Sequence, residues 1–141
     1  MALQVMVIQG VPPVLTPEVE PFWAGTARGE LLVEQCHSCG LHIFPPRGVC
    51  RACYGRNLTW VRVESPGVLY SYTINQNPWT PDLEAVYGIG LVEFPQYSGV
   101  RFVGFLDGFA SEPEIGSLVD IEFIESVHGF HRPCFVPSTA Q

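Results

Sequence analysis

Cys36-His37-Ser38-Cys39-Gly40, answered further along by Cys50-Arg51-Ala52-Cys53-Tyr54-Gly55, is the stretch that decides how this chain folds. Two residues between cysteines let both thiolates of a tight turn point at one ion, while N–H groups of the turn stabilise the sulfur charge. A glycine just past each pair is expected to supply the positive φ such a turn needs. Two turns of this kind facing each other close a tetrahedral Cys₄ site, the geometry of a zinc ribbon. A thioredoxin-type redox pair would sit at a helix start in an alternating strand–helix pattern, and no such pattern surrounds these cysteines. Four protein thiolates leave no open position for substrate, so Cys36, Cys39, Cys50 and Cys53 are read as ligands of a structural ion. Zinc and iron both satisfy this donor set.

Outward from the cysteines, the apolar residues recur with a period of two. Strands are expected over 31–35 and 41–44, flanking the first pair, and over 58–63 after the second. Beyond the turn signal Ser65-Pro66-Gly67 a longer strand, 68–74, places Val68, Tyr70, Tyr72 and Ile74 on one face. Further strands follow at 86–94, 100–106, 118–124 and 130–136, and the loop 75–84 carries Trp79. Gly88 and Gly90 read as a bulge or a bend. Strands at this spacing without helices between them describe an antiparallel sandwich or small barrel. The one helix expected is N-terminal: Thr16 caps it, Pro17 opens it, Val19, Phe22 and Trp23 share a face, and Gly29 stops it. The chain divides into an N-terminal segment with this helix (1–30), a cysteine module (31–64) and a β module (65–141).

Composition limits the chemistry. The seven basic residues are all arginine, which excludes Schiff-base, pyridoxal-phosphate and phosphate-loop mechanisms on this chain. A net charge of −7 disfavours non-specific nucleic-acid binding. Only 15% of residues are charged and 47% are apolar, so part of the surface is expected to be buried against a partner. No basic residue precedes Arg28, and Gly10, Pro12 and Pro13 break the apolar start; neither a secretory signal nor a membrane span is expected, and the expected compartment is the cytoplasm.

The remaining candidates are weaker. His37 and His42 stand beside four cysteines that already complete a ligand set. Cys134 reads as a buried small hydrophobe, with His128 and His131 nearby as the only argument for a nucleophile. Glu112 and Glu114 flank Pro113 in a loop, and Asp120 and Glu122 alternate along a strand as its solvent face. Arg47, Arg56 and Arg132 are candidate contacts for the phosphates of coenzyme A, against ordinary surface ion pairing. Phe22, Trp23, Tyr70, Tyr72 and Trp79 are candidate partner anchors, with the core as the alternative for the tyrosines.

The order of parts resembles a known family. Pro21-Phe22-Trp23, Gly29-Glu30-Leu31-Leu32, the two cysteine pairs with Phe44-Pro45-Pro46-Arg47 between them, and Gly67-Val68-Leu69-Tyr70-Ser71-Tyr72-Thr73 are similar to the acyl-CoA-associated OB-fold proteins, once called domain of unknown function thirty-five. Gly116-Ser117-Leu118-Val119 and His131-Arg132-Pro133 look like that family's last strands. The resemblance implies an all-β chain: a short N-terminal helix, a rubredoxin-like zinc ribbon and a five-stranded OB-fold barrel. It implies a non-catalytic companion in a hetero-oligomer with a thiolase-like or lipid-transfer-protein-type aldolase subunit, with an acyl-CoA thioester as shared ligand. Such partners act by retro-aldol cleavage of a steroid side-chain acyl-CoA, or by thiolysis. The alternatives are a nucleic-acid-binding ribbon/OB module and, last, a stand-alone enzyme using Cys134 or His131.

Overall fold

The computed structural model describes residues 12–77, 86–97, 99–126 and 128–140; Trp79 lies outside them. Among the described residues, one helix, α1 (Glu20–Ala27), precedes eight strands: β1 (Leu31–Cys36), β2 (His42–Ile43), β3 (Leu58–Val63), β4 (Gly67–Asn75), β5 (Tyr87–Glu93), β6 (Arg101–Leu106), β7 (Leu118–Glu125) and β8 (His131–Pro137). The helix starts later than Thr16 suggests. The Thr16 carbonyl accepts from the N–H groups of Val19 and Glu20, a turn that runs into the helix, and Val19 stands at its N-cap without a side-chain bond. Pro21 falls in the first turn, where a missing N–H costs nothing. Gly29, at φ +77°, ends the helix as expected.

The first three strands form an antiparallel sheet ordered β2-β1-β3. The other five close into a barrel ordered β4-β5-β6-β8-β7, completed by the short pairing of Gly67 and Val68 with Val119 and Leu118. All its pairings are antiparallel except β6 with β8. Five strands in this order make an OB-fold.

Barrel closure depends on two glycines that face each other across β5 and β6. A Cβ on Gly90 would stand 2.6 Å from Leu106, and one on Gly104 would stand 2.8 Å from the ring of Phe135. The missing side chains let Leu106 and Phe135, both fully buried, fill the interior. The bulge expected at Gly88 and Gly90 is elsewhere: β5 keeps regular register with β6, and the irregularity is on β4 between Leu69 and Ser71. It divides the expected face of β4. Leu69 faces the core before the bulge and Tyr72 and Ile74 pack on it afterwards, while Tyr70 is turned outward beneath Arg101, whose guanidinium lies 4.0 Å from its ring centre.

Sheet and barrel share one core. Phe22 of α1, Leu31 and Val33 of β1, and Val63 of β3 pack in one cluster with Phe94, Phe102, Val119 and Phe135 of the barrel. Phe44, just after β2, packs against Phe102 with ring centres 4.0 Å apart and planes tilted by 39°, so ribbon and barrel meet ring to ring.

Candidate metal centre and adjoining surfaces

The four cysteines of the two turns converge. Their sulfur atoms all lie within 4.8 Å of one another, with Cys36 3.5 Å from Cys53 and Cys39 3.6 Å from Cys50. A zinc–sulfur distance of about 2.3 Å in a tetrahedron requires sulfur–sulfur edges of about 3.8 Å, so the donor set fits zinc. Cys36 and Cys50 are buried; Cys39 and Cys53 reach the surface.

The two turns are built alike. Gly40 N–H donates to Cys36 O at 2.8 Å and Tyr54 N–H to Cys50 O at 2.9 Å; Cys36 N–H donates to Leu41 O at 2.9 Å and Cys50 N–H to Gly55 O at 2.8 Å. Tyr54 thus occupies the place of Gly40. Gly40 has φ +77° as expected, but in the second turn the left-handed residue is Tyr54, at φ 61°, and not Gly55. A side chain there costs about 1–2 kcal/mol. Gly55 serves another purpose: a Cβ on it would lie 3.3 Å from the Cys53 sulfur.

Backbone dipoles prepare two of the sulfurs. The N–H groups of Cys53 and Ala52 pull the Cys50 thiol down to about 6, and the Cys39 N–H lowers Cys36. At Cys53 the Gly55 N–H acts in the same sense, but the Cys36 sulfur and burial outweigh it and the thiol is pushed up to about 11. Metal binding therefore displaces protons, and acid opposes it.

Glu34 is a structural residue that the apolar run 31–36 conceals. It lies in β1, the central strand of the ribbon sheet, and is only 4% exposed. One carboxylate oxygen accepts from the N–H of Arg47 at 3.0 Å and of Gly48 at 3.4 Å, fixing the loop that leads into the second turn. Glu34→Ala leaves two donors without an acceptor, with an expected loss of about 2–3 kcal/mol in urea denaturation. Glu34→Gln, which keeps an acceptor oxygen, should recover part of it.

The other candidates separate. Cys134 is buried, and burial, followed by Asp107 and Glu122, pushes its thiol up to about 12, the opposite of an activated nucleophile. His131 and Cys134 are three apart in regular strand register, so they project to opposite faces of β8. Phe22 is in the core, and half-buried Trp23 packs edge-on against Phe130 at 5.8 Å. Tyr72 is half-buried and donates its hydroxyl to Glu112 at 2.6 Å. That bond lies beside a cavity of about 500 Å³ that includes Glu112 and Glu114, a carboxylate-bearing lining unsuited to an anion.

An apolar groove of about 370 Å³ runs beside α1, lined by Phe22, Trp23, Phe44, Phe102, Phe105 and Arg132, among others. It lies beside the short pairing of β6 with β8, which joins Phe105 to Cys134 and Leu106 to Phe135. Arg132 is the cation of this groove, its guanidinium 5.0 Å from the centre of the Phe130 ring. Arg47 and Arg56 line neither this groove nor the carboxylate-bearing cavity. Among the described residues, no helix is long and apolar enough to cross a membrane.

A Cys₄ ribbon joined through a common core to an OB-fold barrel defines a two-module zinc-ribbon/OB protein. Its two halves match two family models, the rubredoxin-like zinc ribbon domain of ChsH2 over residues 23–59 and the C-terminal OB-fold domain of ChsH2 over residues 60–123. The chain belongs to the ChsH2 family, also known as DUF35. Among solved structures it is similar to the Ltp2-ChsH2(DUF35) aldolase, with 27% identity, 89% of this chain and 98% of that chain covered, and a TM-score of 0.81. A DUF35 protein of unknown function from Sulfolobus solfataricus shares the fold at 20% identity, with 86% of each chain covered and a TM-score of 0.62. No curated protein sequence matches.

Proposed function

We propose that this chain is a non-catalytic accessory subunit of a thiolase-like aldolase acting on an acyl-CoA, stabilising its partner and helping to form the acyl-CoA site. The observation that carries this reading is the likeness to the Ltp2-ChsH2 aldolase over nearly the whole of both chains. It is supported by what the chain lacks: no lysine for an imine, and no activated thiol at Cys134. The reaction we assign to the complex is retro-aldol cleavage of a steroid side-chain acyl-CoA, with thiolysis as the other reaction of thiolase-like partners. Within this chain the groove beside α1 is the part suited to an acyl thioester, its rings taking apolar substance and Arg132 an anionic or carbonyl oxygen.

Co-expression with the thiolase-like product of an adjacent gene should yield a hetero-oligomer with carbon–carbon lyase activity on acyl-CoA. The partner alone should be insoluble or at least tenfold less active. Full partner activity without this chain, or failure to co-purify, would remove the reading.

A further inference from the structure

The apolar groove beside α1 does not end at β6. Ile89 and Val103, which line it, also line a trough of about 240 Å³ on the outer face of the barrel, together with Ser71, Thr73 and Leu91 among others. Strand register makes the connection. Ser71, Leu91 and Val103 stand side by side across β4, β5 and β6, and Thr73, Ile89 and Phe105 form the next rung on the same face. The alternation along β6 fixes which face this is: Phe102 and Leu106 are buried, whereas Val103 is 68% exposed. Four apolar side chains, Ile89, Leu91, Val103 and Phe105, therefore line the outside of the barrel, and none belongs to either core cluster.

The chemistry of this surface is one-sided. Arg132 is the one charged residue that lines the groove, and none lines the trough. An acyl-CoA has two unlike ends, a nucleotide with three phosphates and a hydrocarbon body. One guanidinium does not match three phosphates, and enclosing the unmatched charge is costly. Hydrocarbon meets no such cost and gains about fourfold in affinity for each methylene it buries. The groove alone, at about 370 Å³, is of the size of ordinary ligand sites, roughly 300–1,000 Å³, and the trough extends it beyond what a short acyl group would fill.

We infer that groove and trough are one binding track for the apolar body of the acyl group, remote from the thioester, and that the nucleotide of coenzyme A lies outside it. Val103, at the junction of the two, sets how long a body the track accepts. The ligand class is a thioester or carboxylate with a long or ring-bearing hydrocarbon body.

The track rests on the accessory-subunit reading for the coenzyme-bearing end of its ligand, and the experiment separates the two. The zinc-loaded full chain is titrated calorimetrically with straight-chain alkanoates from butanoate to dodecanoate, with the ring-bearing carboxylate cholanoate, and with coenzyme A alone; the partner complex is assembled in parallel. Affinity should rise about two- to fourfold per added methylene and level off at the length that fills the track. Cholanoate should compete with dodecanoate, and coenzyme A should not. Val103→Trp, at an exposed position, should keep its zinc and its melting midpoint, level off at a shorter alkanoate, and bind dodecanoate about tenfold more weakly with butanoate unchanged. Affinity that does not depend on chain length, or displacement of dodecanoate by coenzyme A, overturns the track; a complex that still forms and cleaves acyl-CoA then leaves the accessory role standing. An equal loss for every alkanoate in Val103→Trp overturns the assignment of length selection to this residue. Length-dependent binding by a chain that forms no complex removes the accessory reading and leaves a binder of hydrocarbon carboxylates.

Discussion

Cys50→Ser is expected to abolish metal binding and unfold the ribbon. The Cys50 sulfur is fully buried and belongs to the four-sulfur cluster, and a hydroxyl in its place is a far weaker ligand for a borderline-soft ion. Structural zinc in small modules contributes about 10–16 kcal/mol, comparable to or larger than the roughly 5–15 kcal/mol net stability of a whole domain. Unfolding should not stop at the ribbon, because Leu31, Val33 and Val63 are part of the barrel's core cluster. Mass spectrometry should find about one equivalent of zinc in the wild type and almost none in the variant, and circular dichroism should show lost strand structure. A strong chelator should do the same to the wild type. Cys134→Ser is the control: it lies outside the cluster and should keep its metal. A Cys50→Ser protein with full zinc and an unchanged melting midpoint would disprove the site.

The second large effect is expected at Phe102, where ribbon meets barrel. Its ring is 2% exposed, packs at a tilt against Phe44 with ring centres 4.0 Å apart and meets Phe94 edge-on at 5.9 Å. Phe102→Ala removes the transfer energy of a buried ring and leaves a cavity that the two neighbours cannot fill, at a cost of about 3–5 kcal/mol. For a chain of this size that lowers the melting midpoint by roughly 10–20 °C. Zinc content should be unchanged at 25 °C, since no ligand is disturbed, which distinguishes this variant from Cys50→Ser. Val103→Ala, next in the strand but 68% exposed, should change stability by no more than about 0.5 kcal/mol. Equal losses at positions 102 and 103 would contradict the described packing.

The parts of the fold that were legible in advance are those set by local chemistry. Cysteines at C-x-x-C spacing have little choice but to face one ion, and strands with alternating apolar residues show their extent through that alternation; each of the eight strands lies within a residue or two of its expected span. Gly29 and Gly40 were legible for the same reason, since each position needs a left-handed backbone. Features fixed by distant neighbours were not. The bulge at Tyr70 is a property of how β4 pairs with β5, and it turned one expected face into two. The exchange of roles between Tyr54 and Gly55 was not legible either: the left-handed position falls to Tyr54, while Gly55 lies where a Cβ would stand 3.3 Å from the Cys53 sulfur. Glu34 was not singled out from the sequence, because its role depends on the loop at Arg47 and Gly48, whose N–H groups it accepts from.

By itself the sequence determined the ligands of the metal, the predominance of strands after one short helix and the chemistries it cannot perform, because thiolate spacing, side-chain period and the absence of an amine side chain are properties of the covalent chain. Tertiary structure alone decided which apolar residues remain outside, that a groove lies beside α1 and the short pairing of β6 with β8, and that Arg132 lies there while Arg47 and Arg56 line neither it nor the carboxylate-bearing cavity. Those outcomes depend on strand register and on contacts between residues far apart in the chain, such as Phe44 with Phe102, whose geometry exists only once the barrel has closed.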